Sequence, residues 1–249
     1  MQSHRQVCEL PDSLTPLSYF RLAAGEFSSL RNLVFAALIV AMRVLVKAFQ
    51  IPLAAGLSIT FDCYVNALGS LVYGPLVGLL VGAVSDTLGC IFFPAGTYFL
   101  PFILTEMLSS FIFGLFLWRK KLTVLRVLLA KFTVNLVCNI LLTSLLMKWM
   151  YYWYYGDEKA ASYSLINLVR VGKNLVLFPV ESVLIVFVLG AFLPALRSLY
   201  MVPENQGSLL LKKRHVLLVI LLTLLSVGLI LLYIFWGKDF LSHHNIKLL

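Results

Sequence analysis

Charge is what this sequence has least of. Asp, Glu, Lys and Arg make up 12% of the 249 residues, against 61% hydrophobic residues and a mean hydropathy of +0.94; a water-soluble domain carries about twice that charged share. A free-standing soluble domain is thereby excluded. Cysteine is sparse, and Cys8, Cys63, Cys90 and Cys138 form no Cys-x-x-Cys pair, so packing accounts for them better than a metal or a disulfide. His4, His215, His243 and His244 make no metal constellation either. Signatures of catalysis are also missing: the chain has no Gly-x-Ser-x-Gly elbow, no His-Glu-x-x-His pair, no paired carboxylates of the phosphatidyl-transfer type and no Gly-x-x-x-x-Gly-Lys loop. The sequence thus reads as a non-enzyme with no catalytic residue, metal or cofactor of its own, and any ATP-driven activity would borrow its ATPase. Alternating ten-residue strands, an internal repeat and the apolar core of an N-terminal secretory signal are absent too.

What is present is a series of apolar runs from residue 31 to residue 236, which predicts an all-α polytopic protein of the cell membrane. Seven spans are read at about 30–50, 60–73, 75–92, 100–118, 124–148, 165–196 and 215–236. Tyr73, Gly74 and Pro75 separate the short second and third spans; Pro75 suits a first helical turn and Gly74 a tight connection, so the two run antiparallel. The domain reading is a cytoplasmic lead-in over 1–29, a six-helix domain over 30–197, a basic cytoplasmic linker over 198–214, an additional transmembrane helix over 215–236 and a tail over 237–249.

The formal charge of +9 sits in short loops beside the spans, at Arg119, Lys120, Lys121, Arg126, Lys212, Lys213 and Arg214. Membrane lipid and topology explain such cations better than nucleic acid does, and the positive-inside rule places them in the cytoplasm. The N-terminus is then inside and, with seven spans, the tail outside.

Polar residues inside the spans are the candidate functional groups, because a charge at bilayer depth costs about 2.5–3.5 kcal/mol on insertion scales. Arg170, Lys173, Asn174 and Glu181 share one stripe of the sixth span. Arg43 and Lys47, Asp62 and Asn66, Asp86, Glu106, and Asn139 and Thr143 approach the same outer leaflet from five other helices. Internal pairing is the plainer account, for instance Arg43 with Asp62 or Asp86 and Lys173 with Glu181. The concentration of polarity on one side favours a ligand cavity. Lys131 lies about two turns from the cytoplasmic start of its span, where its stem can snorkel, and is given no ligand role. Phe93, Pro94, Thr97 and Tyr98 belong to an outer aromatic loop between the third and fourth spans, and a second run from Trp149 to Tyr155 reads first as an interfacial belt. Ala37 and Ala41, one turn apart, allow close approach of another helix.

The ordered motifs Asn66-Ala67-Leu68-Gly69, Tyr73-Gly74-Pro75, Asp86-Thr87-Leu88-Gly89, Phe93-Pro94-Ala95-Gly96-Thr97-Tyr98-Phe99, Arg170-Val171-Gly172-Lys173-Asn174 and Phe178-Pro179 resemble the substrate-binding S components of energy-coupling factor (ECF) vitamin transporters, and among them the folate family. The resemblance covers about residues 30–197. It implies a six-helix binding subunit with the vitamin pocket on the outer side, joined to a transmembrane coupling (T) component and two cytoplasmic ATPases that use ATP. Ala37-x-x-x-Ala41 then corresponds to the motif by which the family's first helix meets the coupling protein. The chain departs from the pattern at Val169, where the family often has proline before the arginine, at Ala95 in place of serine, and in its seventh span.

Folate suits these residues. Its rings are flat and its glutamate tail is anionic, so aromatic loops would stack the rings while Arg170 or Lys173 bonds a carboxylate. Asn174, Asn139 and Asn66 would read the pterin edge; Asp86 and Glu106 would bind its amino groups or hold cations such as Arg43 in place. The competing readings are another vitamin such as riboflavin or thiamin, a membrane enzyme acting on an anionic lipid, and a structural membrane partner with no small ligand.

Overall fold

The computed structural model of the chain describes residues 16–54, 57–94, 99–156 and 168–203, with the single positions 206, 209, 221, 224 and 228. Helix α1 (Pro16–Gly25) and a 3-10 turn (Glu26–Ser28) precede α2 (Leu30–Lys47). Strands β1 (Gln50–Ala54) and β2 (Leu57–Thr60) then lead into α3 (Asp62–Phe92), followed by α4 (Ile103–Leu117), α5 (Val124–Tyr155) and α6 (Leu168–Ser198). All but three positions of the predicted seventh span, 215–236, lie outside the described residues.

Helix α3 is two helices joined at one residue. Gly74 has φ 79° and ψ −176°, a conformation essentially confined to glycine, and the Trp118 ring packs where a Cβ would stand, 2.8 Å away. Pro75 opens the second half, where its missing N–H costs nothing. The register against α4 shows the reversal. Asp62 and Glu106 both receive hydrogen bonds from Arg43, and Gly82 also lies against the Glu106 carbonyl. Asn66 bonds Ser109 and Ser110, and Gly78 lies against the Ser110 carbonyl. Positions 62 and 82 are therefore level, as are 66 and 78, and the halves run antiparallel. Counted so, α2, the two halves of α3, α4, α5 and α6 make a six-helix membrane bundle. At 1.5 Å per residue the first half is only about 18 Å long, well short of a ~30 Å hydrocarbon core. It is sheltered by protein instead: every residue from Tyr64 to Pro75 is buried.

Helices Asp62–Phe92, Leu100–Leu117, Val124–Tyr155 and Arg170–Ser198 are long and apolar enough to cross a bilayer, and α2 joins them as the longer arm of a pair bent by 82° from Leu17–Ser28. Leucines and phenylalanines such as Leu125, Leu129, Phe132, Leu175 and Phe187 point outward, as a lipid-facing surface requires. The apolar core fills one end of the bundle, where Leu71, Phe113, Leu117, Val127, Ile185 and Leu189 pack together. The other end is polar.

Two local features depart from the predicted helices. The connection after α2 forms an antiparallel hairpin, pairing Ile51 with Ile59 and bulged between Pro52 and Ala54. In α5, residues Asn135–Leu142 wind as a π-helix, and the Thr143 hydroxyl donates to the Cys138 carbonyl five residues back. Such wide turns are rare and often lie at functional sites.

Candidate binding site

At the polar end the helices line an open-sided cavity of about 590 Å³, within the roughly 300–1,000 Å³ of small-molecule sites. One wall is built on Arg43. It projects from α2 with no exposed surface and donates from Nε and NH2 to the two Asp62 oxygens, at 2.9 and 2.8 Å. Its NH2 also reaches Glu106 Oε2 at 2.5 Å and its NH1 reaches Ser110 Oγ at 3.3 Å. One guanidinium thus holds two carboxylates, a formal charge of −1 beside the cavity. One turn along α2, Lys47 Nζ donates to Asp86 Oδ1 at 2.8 Å. Gly89, one turn after Asp86, leaves the room for this lysine: a Cβ there would come within 2.5 Å of Lys47 Cδ.

The lining carries a second buried pair, Lys131 Nζ to Glu181 Oε2 at 2.8 Å, with the thiol of Cys63, the neighbour of Asp62, 3.2 Å from the same ammonium. Lys131 does not snorkel: its side chain is 2% exposed. Beside it the wide turn of α5 brings Asn135 and Asn139 into contact, Asn139 Nδ2 donating to Asn135 Oδ1 at 3.0 Å and to Asn174 Oδ1 at 3.2 Å. Phe93, Phe99 and Phe102 supply flat walls, and Phe99 meets Trp149 and Tyr154 edge-on.

Of the residues proposed from sequence, Asn66, Asp86, Phe93, Glu106 and Asn139 line this cavity. Asn66 is bound internally as well, its amide donating to Ser109 and its carbonyl oxygen accepting from Ser70 and Ser110. Arg43 stands behind the wall. Asn174 reaches the wall through Asn139, whereas Arg170, one turn earlier, donates from Nη1 to Ser144 at 3.3 Å, and neither of these two lines the cavity. Lys173, one residue before Asn174, is half-buried and forms no ion pair among the described residues. Pro94 is exposed at the end of α3, and Thr97 and Tyr98 lie outside the described residues. Ala37 and Ala41 face away from the site, exposed on the opposite side of α2 from buried Arg43, with Val34, Leu38 and Leu45.

The cavity also takes in Lys47, Asp62 and Glu181, which the sequence places among its polar candidates, and adds Lys131, Phe99 and Phe102, to which it assigns no ligand role. A signal for Lys131 exists in the sequence, since Lys131, Asn135 and Asn139 repeat every four residues along one face of α5. Pairing Lys131 with Glu181 needs the tertiary fold.

This geometry has relatives. Residues 27–193, well over half of the chain, match the family described as the ECF-type riboflavin transporter, S component. The folate transporter FolT of Clostridium novyi is 31% identical over 119 residues, 48% of this chain and 64% of that protein, so the match spans less than two thirds of this relative's length. FolT of Leuconostoc mesenteroides subsp. mesenteroides is 28% identical over 152 residues, 61% of this chain and 80% of that one. A crystal structure of FolT bound with folic acid superposes with a TM-score of 0.51 at 26% identity, covering 62% of this chain and 88% of the other. With its helical bundle and the match over residues 27–193, the chain belongs to the ECF-type S components, membrane transport proteins rather than enzymes.

Proposed function

We propose that this protein captures folate in the cavity as the S component of an ATP-driven importer, working with a T component and two cytoplasmic ATPases. The observation that carries the vitamin assignment is the separation of charge around the site. The Arg43–Asp62–Glu106 cluster leaves a formal negative charge at the cavity wall, suited to the amino and ring N–H donors of a pterin. Glu106 is the best placed of these carboxylates: Arg43 holds Oε2, and the side chain keeps 29% exposure. Asn139, presented by the wide turn of α5, adds an amide to the same surface. The cations Arg170 and Lys173 lie on the first turns of α6, next to the Asn174 that bonds Asn139 of the cavity, and are the proposed partners of a glutamate tail. The phenylalanine walls suit flat rings in between.

Riboflavin is the second reading, favoured by the description of the matching family. It has no carboxylate and would leave Arg170 and Lys173 unused. The FolT relatives and the folate-bound neighbour point the other way. The exposed small-residue face of α2 at Ala37 and Ala41 is the proposed seat of the T component. Mass spectrometry of small molecules released from the purified protein tests the assignment: folate or a reduced folate is expected, and riboflavin or thiamin alone would replace the substrate.

A further inference from the structure

Helix α1 precedes residues 27–193 of the family match, and its surroundings are those of a membrane-interface element. It turns by 82° from α2, so where α2 crosses the bilayer α1 lies close to the membrane plane. Its amino acids divide into three stripes at helical spacing. Tyr19 and Ala23 face the bundle and are buried. Tyr19 Oη donates to the Gly114 carbonyl at 3.2 Å and its ring meets Trp118 edge-on at 5.1 Å. Beyond the helix, Glu26 is clamped by Arg119 at 2.8 Å and receives a hydrogen bond from Asn32. These contacts fix how α1 is rotated.

The other two stripes therefore point in set directions. Leu17, Phe20 and Ala24 form an apolar flank, with Leu17 85% and Phe20 40% exposed. The Phe20 ring stacks on Phe111 of α4 at 6.4 Å, which joins this flank to the outer surface of the bundle. Ser18, Arg21, Leu22 and Gly25 form the remaining flank, on which Arg21 is exposed and Leu22 is 38% exposed at the edge next to the bundle. Lys120 lies over the Tyr19 ring at 5.5 Å and Lys121 follows it, both exposed. Leucine and phenylalanine on one flank and cations on the next is the pattern of a helix that lies in a bilayer interface and favours anionic lipid.

We propose that α1 is a membrane-interface helix: the Leu17–Phe20–Ala24 flank enters the acyl region of one leaflet, while Arg21, Lys120 and Lys121 bind the phosphates of anionic phospholipid headgroups. Water on every side of Leu17 would leave the most exposed leucine of the helix, and its continuity with a lipid-facing surface, without a partner. The occupant is lipid rather than protein because the apolar flank continues the bundle's own outer surface and the cations are grouped at its border.

The test uses the full chain in nanodiscs of phosphatidylcholine alone or mixed with phosphatidylglycerol. Nitroxide labels at Leu17→Cys and Arg21→Cys, in a background with Cys8, Cys63, Cys90 and Cys138 replaced, report collisions with oxygen and with a water-soluble nickel chelate. The label at 17 is expected to favour oxygen and the label at 21 nickel; nickel access at both sites overturns the proposal. Hydrogen exchange on the chain with its native cysteines is the second measurement. Amides 17–25 are expected to exchange several-fold more slowly with phosphatidylglycerol present, and Arg21→Gln with Lys120→Gln and Lys121→Gln removes that difference. Equal exchange in both lipids overturns the anionic-headgroup part of the claim.

Discussion

Arg43 grips Asp62 through two parallel hydrogen bonds, Nε to Oδ1 and NH2 to Oδ2, at 2.9 and 2.8 Å. The fork bridges α2 and the first half of α3, and Glu106 of α4 shares the same guanidinium. Removing one partner of a buried ion pair costs about 3–5 kcal/mol, because the other charge is left unpaired. Arg43→Gln is expected to destabilise the protein by about that much, and Arg43→Lys by less, since an ammonium keeps the charge without the fork. Thermal unfolding in detergent checks both.

The Lys131–Glu181 pair predicts non-additivity. Lys131→Met or Glu181→Leu alone strands a buried charge, whereas the double variant removes both. The double variant is expected to unfold at a higher temperature than either single one. Additive losses would show that the two charges act independently.

How far the sequence carried this fold depends on which residues are considered. Apolar runs marked the bundle, and Tyr73-Gly74-Pro75 marked the reversal within α3, because a positive-φ glycine followed by proline is a local signal. The hairpin at Gln50–Thr60 was missed: its strands are short and sit between two apolar spans, where periodicity cannot separate them from helix ends. The wide turn at Asn135–Leu142 has no sequence signature at all. Asn66, Asp86, Glu106 and Asn139 were legible as polar residues at one depth; depth offered Arg43 both Asp62 and Asp86, of which the fold selects Asp62, and it offered Glu181 the wrong cation, Lys173, where the fold brings Lys131 from 50 positions away.

Gly74 sets the turn on which α3 depends. Gly74→Ala places a Cβ against the Trp118 ring and forces a side chain into a glycine-only conformation, a strain of about 1–3 kcal/mol. A lower unfolding temperature is expected, and Gly74→Ala combined with Trp118→Ala should recover none of the backbone part. Full recovery in that double variant would assign the whole cost to the ring.

Arg170 and Lys173 are proposed to bind the glutamate tail. A hydrogen bond to a charged group contributes about 1.5–3 kcal/mol, or roughly ten- to hundred-fold in affinity. Arg170→Ala and Lys173→Ala are each expected to weaken folate by that factor and to leave 6-hydroxymethylpterin, which carries no carboxylate, unchanged. Equal losses for both ligands would move these cations to the ring end of the site.

Ala41→Arg should separate capture from assembly. Ala41 is exposed on the outer face of α2, away from the cavity wall. Folate binding is expected to persist while co-purification with the T component and ATPases is lost. Normal assembly of this variant would remove the outer face of α2 from the interface.

Calorimetric titration of the purified protein decides whether this cavity holds folate. One folate per chain is expected, with riboflavin unable to displace it in large excess and Glu106→Gln weakening the binding. Saturable binding of riboflavin by a protein that ignores folate would rule out folate as the substrate.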